Sequence, residues 1–69
     1  MKPHAGDMMG TTKPGLHERR YVIETYDYGV LFVECHIERV GGFSPVLFAT
    51  NGEWNYWTDK HLAIVEDQG

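Results

Sequence analysis

Two stretches of the chain, Tyr21-Val22-Ile23-Glu24-Thr25-Tyr26 and Val30-Leu31-Phe32-Val33-Glu34-Cys35-His36-Ile37-Glu38, nearly alternate apolar with polar positions. Both are rich in β-branched and aromatic residues, the pattern of paired strands. Two connections are open to them. A two-residue loop at Tyr28-Gly29 pairs Tyr26 with Leu31 and sets Glu24 beside Val33 on the apolar face. A three-residue loop, Asp27-Tyr28-Gly29, pairs Tyr26 with Val30 and puts Gly29 at the left-handed position such turns require. The second register separates the faces better and is the one expected. It collects Tyr21, Ile23, Thr25, Leu31, Val33, Cys35 and Ile37 on a core face, and Val22, Glu24, Tyr26, Phe32, Glu34, His36 and Glu38 on the other.

Gly41-Gly42 and Pro45 end this unit. Beyond them, Val46-Leu47-Phe48-Ala49-Thr50 and Glu53-Trp54-Asn55-Tyr56-Trp57 flank Asn51-Gly52, a dipeptide that favours a tight hairpin turn. The pattern predicts a second hairpin, with Leu47, Ala49, Trp54 and Tyr56 on one face and Val46, Phe48, Asn55 and Trp57 on the other. Thr58 is placed to cap a helix, with Trp57 and Leu62 as its hydrophobic staple. Leu62-Ala63-Ile64-Val65 is short and carries adjacent β-branched residues, so a single helical turn at 58–61 followed by a fifth strand is the reading preferred over a longer helix. The fold class expected is all-β: a small five-stranded antiparallel meander or SH3-like barrel with a single helical turn before the last strand.

Residues 1–19 hold Pro3, Gly6, Gly10, Pro14 and Gly15 without apolar periodicity, and are expected to form a disordered tail. Residues 20–66 are the β domain and 67–69 a disordered end. A domain this small supplies roughly 3–5 kcal/mol from its core and ordinarily needs a disulfide, a metal or an oligomer. Cys35 is the single cysteine, which leaves association as the default and points away from a secreted, disulfide-stapled scaffold. With no signal-like apolar run and no stretch near ~20 apolar residues, the expected setting is cytoplasmic, without membrane contact.

Charge divides the chain. Lys2, Lys13, Arg19 and Arg20 outweigh Asp7 and Glu18 before Tyr21, whereas only Arg39 and Lys60 offset the eight carboxylates after it, for a net charge of −4. An acidic body repels phosphate, so direct nucleic-acid binding is not expected and a basic protein partner is.

Chemistry-bearing motifs are sparse. Cys35 and His36 are adjacent in a strand and point to opposite faces, which rules out a nucleophile–base pair. Glu34, His36 and Glu38 share a face, but residues two apart on a strand diverge by about 6–7 Å, too far to hold a metal without a ligand from another strand such as His61. No nucleotide loop, Cys-x-x-Cys pair or catalytic constellation is present, so neither a cofactor nor an enzymatic activity is expected.

The aromatic residues carry the functional expectation. A hairpin apolar on both faces leaves one face uncovered in a domain this small, and Trp and Tyr dominate binding hot spots. Glu24-Thr25-Tyr26-Asp27-Tyr28 resembles the Ala-Leu-Tyr-Asp-Tyr motif of SH3 domains, and the resemblance implies a barrel. The family's Trp-Trp pair and its Pro-Ser-Asn-Tyr-Val segment have no counterpart here, where Asp59-Lys60-His61-Leu62-Ala63 stands before the last strand. In kind, the chain is similar to small bacteriophage or mobile-element products that act by binding a host protein. The expected function is therefore a small acidic protein-binding module of inhibitor type docking on a basic host protein through Glu24, Tyr26, Tyr28, Glu34, Glu38, Trp54, Tyr56 and Trp57. The alternatives are an SH3-like peptide-binding domain and a self-associating subunit, a homodimer in the simplest case.

Overall fold

A computed structural model describes residues 2–12, 18–36 and 42–66. In chain order these form β1 (Met8–Thr11), β2 (Glu18–Tyr26), β3 (Gly29–His36), β4 (Leu47–Thr50), α1 (Asn51–His61) and β5 (Ala63–Val65). The strands make one unclosed sheet in the order β4-β3-β2-β1-β5, with antiparallel neighbours throughout. This is the expected five-stranded antiparallel fold with a helix before the last strand, in its open form.

The helix is longer than the single turn expected, and topology gives the reason. β4 and β5 lie at opposite edges of the sheet, about 19 Å apart at ~4.8 Å per strand step. Eleven helical residues span about 16 Å, so α1 carries the chain across one face from edge to edge, which one turn cannot do.

The predicted second hairpin is overturned for the same stretch. Asn51-Gly52 opens α1 instead of turning between strands. Thr50-Asn51-Gly52-Glu53 is a capping box: the Thr50 hydroxyl accepts the Glu53 N–H at 3.2 Å, and the Glu53 carboxylate accepts the Thr50 N–H at 2.9 Å. These two bonds satisfy helix-end donors that a hairpin turn leaves out, and the cap is Thr50, not Thr58. The bond from the Thr50 backbone N–H holds the Glu53 carboxyl below its usual range. A depressed folded-state pKa means a contribution that is complete above the ordinary glutamate value, about 4.3, and lost as pH falls through the lower folded value. Thr50→Ala is expected to cost about 1 kcal/mol in urea unfolding, and Glu53→Gln to flatten the acid limb of a stability–pH profile. An unchanged urea midpoint for Thr50→Ala would show that the cap is not formed.

Residues 2–12, expected to be disordered, are built into the fold. β1 is an interior strand, hydrogen-bonded to β2 on one side and β5 on the other. Ahead of it Gly6, at φ 92°, turns the chain so that its N–H reaches Val22 O at 2.8 Å. The order here comes from main-chain bonds on two sides, which composition does not disclose. Residues 13–17 and 67–69, also expected to be disordered, lie outside the described residues.

The register of the first hairpin also differs. Tyr26 pairs with Gly29 across a two-residue Asp27-Tyr28 loop, and the ladder shifts by one between Val22 and Glu24. This bulge changes the phase of β2: odd-numbered Arg19 and Tyr21 share a face with even-numbered Glu24 and Tyr26. Val22, Val30 and Phe32, not the predicted Tyr21–Ile23–Leu31–Val33 set, turn toward α1. They bury with Met9, Ala49, Trp54 and Trp57 as the core. Phe32 meets Trp54 edge-on at 5.2 Å, and Trp54 meets Trp57 at 5.5 Å. Both faces of β3 are apolar, and the two tryptophans of α1 select which one becomes the interior.

Candidate functional site

α1 covers one side of the sheet, and among the described residues no element covers the other. The pairing register places Met8 and Ile64 (β1 and β5), Tyr21 and Tyr26 (β2), Leu31 and Val33 (β3) and Phe48 (β4) on this open side. Exposure is 38% for Tyr21, 39% for Tyr26, 45% for Phe48, 56% for Ile64 and 66% for Tyr28 at the hairpin tip. Single exposed apolar residues are ordinary, but several gathered on one uncovered side of a sheet mark a candidate interaction site.

At the tip the rings are ordered against one another. Tyr26 and Tyr28 stack at 5.5 Å with 16° between planes, and Phe48 lies 5.7 Å from Tyr28. Gly29 makes this possible, because the Phe48 ring rests in the space a Cβ at Gly29 would fill. Glu66 crosses Gly10 in the same way to reach Arg19, whose Nε lies 2.8 Å from the carboxylate. Side chains over both glycines therefore lie along the sheet. Cys35 is half-buried on this side, and burial pushes its thiol pKa up, against a nucleophilic role.

The helix side holds a different arrangement. The Arg20 guanidinium sits 4.4 Å from the Phe32 ring and 4.1 Å from Trp57, with Glu34 Oε2 3.6 Å from Nη2. Desolvation lowers its pKa, opposed by Glu34 and Glu18. Glu18 accepts the Trp57 indole N–H at 3.3 Å and lies 3.7 Å from His61 Nε2. A cleft of about 600 Å³ opens here, lined in part by Arg20, Phe32, Tyr56, Trp57 and Lys60. Its half-buried cation and the nearby carboxylates already face one another, so these contacts join α1 to the sheet.

No family model, curated protein or solved structure matches the chain.

The structure thus distributes the residues singled out from the sequence. Tyr26 and Tyr28 come together on the open side, with Glu24 beside them, its carboxylate 3.2 Å from the Thr25 N–H. Glu34 is on the opposite face, beside Arg20. Trp54 is 1% and Trp57 6% exposed, so both belong to the core. Tyr56 is exposed on α1, under Lys60 at 5.6 Å. Glu38 lies outside the described residues. Phe48, Tyr21 and Ile64 complete the open face and were not anticipated as site residues. Strand alternation sets Phe48 on the other face from Leu47, and the position of α1 makes that face the open one. No described helix is long and apolar enough to cross a membrane, and no described His, Cys, Asp or Glu trio is placed to hold a metal.

Proposed function

We propose that the chain is a small protein-binding module that docks through the helix-free face of its sheet. The observation that carries this reading is the ordered Tyr26–Tyr28–Phe48 cluster, on the same side of the sheet as exposed Tyr21 and Ile64, a side that no described element covers. Recognition by this face is mainly apolar. Of the carboxylates expected to form an acidic docking surface, Glu24 and Glu34 lie on opposite faces, and Glu34 is offset by Arg20. The acidity of the chain then acts at long range, on encounter with a basic partner more than on affinity.

Binding through an apolar face persists at high salt, whereas binding through exposed charges weakens once the Debye length drops to about 3 Å near 1 M. Proteins retained by the wild-type chain in high salt are expected to be lost with a Tyr28→Ser/Phe48→Ser variant that keeps the wild-type circular dichroism spectrum. Truncating two aromatic anchors of a contact weakens binding by about 30-fold or more. Retention that is unaffected by this variant, or that disappears with salt alone, would overturn the reading.

A further inference from the structure

We infer that the occupant of the helix-free face is a second copy of this chain, the two sheets stacking to form a four-layer α/β/β/α dimer. The inference rests on the reading of that face as a docking surface and names what docks there.

The layer count is the first argument. An antiparallel sheet can leave one face to water when that face is polar, but a face that is apolar as well gains from a cover. Among the described residues the buried hydrophobic core has seven members, all on the α1 side of the sheet. A chain of 69 residues with one cysteine has few other routes to added stability than association.

Area is the second. Taking ~200 Å² for a whole aromatic side chain, the exposed fractions of Tyr21, Tyr26, Tyr28, Phe48 and Ile64 amount to on the order of 500 Å² per copy. Two copies then remove about 1,000 Å² before the half-buried residues between them are counted, which reaches the size of a specific interface.

Charge selects the partner. The chain carries a net charge of −4, yet among the described residues that the register places on this face Arg19 and Glu66 offset each other and Glu24 is left without a cation. A face shaped for a basic protein would present carboxylates. A face shaped for an equally acidic copy must exclude them, since like charges brought together repel. The arrangement matches the second case. Shape agrees with it: the Phe48 ring over Gly29 and the Glu66 side chain over Gly10 keep the surface low enough for sheets stacked about 10 Å apart.

Sedimentation velocity on the full chain, from about 1 to about 200 µM, tests this directly. The expected result is a concentration-dependent species of twice 7.9 kDa that persists in high salt. Tyr28→Ser, at the hairpin tip and outside the core, is expected to weaken the dimer by about 10-fold or more, because one substitution alters both copies in a two-fold interface. Ile64→Ser at the far edge gives the same direction independently, and Tyr56→Ser on α1 leaves the dimer intact. A chain that stays monomeric throughout overturns the inference. If the same face variants still abolish capture of another protein, the docking face stands with a different occupant. A dimer insensitive to both face variants overturns the inference and moves self-association to another surface, such as the β4 or β5 edge.

Discussion

Trp54→Ala is expected to leave the chain without a cooperative unfolding transition near 25 °C. Truncating a buried aromatic costs about 3–5 kcal/mol, and a core this size supplies about the same amount. Trp54 is the largest of the fully buried side chains and bridges Phe32 to Trp57, so its loss detaches α1 from the sheet as well as opening a cavity. α1 is also the connection that brings β5 to the far edge, so the damage is not confined to one layer. Trp54→Phe separates packing from polarity. The Trp54 indole N–H is buried with no hydrogen-bond partner among the described residues. Removing an unpaired donor recovers about 1–3 kcal/mol, against roughly 1 kcal/mol for the smaller ring at ~24 cal/mol per Å³ of cavity. The phenylalanine variant is therefore expected near wild-type stability while the alanine variant unfolds, read by circular dichroism and urea titration. A sharp wild-type-like transition for Trp54→Ala would mean that the helix is not held by its tryptophans.

The parts of this fold legible in the sequence are those fixed by local pattern. Strand-forming composition located β2, β3 and β4, and the short β-branched run after His61 located β5. Where two local signals competed, tertiary context decided. Asn51-Gly52 is a strong hairpin dipeptide, but Thr50 and Glu53 frame it as a helix start, and the need to span the sheet makes the helix the stable choice. Register was illegible because Val30, Leu31, Phe32 and Val33 are apolar in succession. With both faces of β3 able to be buried, alternation cannot say which is, and the bulge at Val22/Glu24 hides the phase of β2 as well. β1 is hardest to foresee, since Met8–Thr11 is held largely by backbone bonds to strands distant in sequence. The candidate site inherits these limits. Tyr26 and Tyr28 were found by residue type, Trp54 and Trp57 were misplaced by the wrong secondary structure, and Phe48 became visible only with the faces assigned.

Gly29→Ala is expected to destabilise the chain by about 2–3 kcal/mol, the upper part of the range for overpacking. Alanine is ordinarily the better residue in a strand, by about 0.5–1 kcal/mol, so the sign of the change is the test. A Cβ at Gly29 runs into the Phe48 ring and the Ala49 carbonyl oxygen. The ring can move, but the carbonyl belongs to the neighbouring strand and can shift only with the β3–β4 ladder, where Gly29 pairs with Thr50 and Val30 with Ala49. Adding Phe48→Ala should therefore restore only part of the loss. Gly52 provides the internal contrast. It lies in the first turn of α1 with nothing near its would-be Cβ, so Gly52→Ala should stabilise by about 0.5–1 kcal/mol. Opposite signs at the two glycines in one urea series, with part of the Gly29→Ala loss restored by Phe48→Ala, would establish that Phe48 rests over Gly29. Its displacement in Gly29→Ala would then lift a ring out of the open face and weaken docking there along with the fold. Equal stabilisation at both positions would remove that contact, and with it the ordered aromatic cluster on which the proposed docking rests.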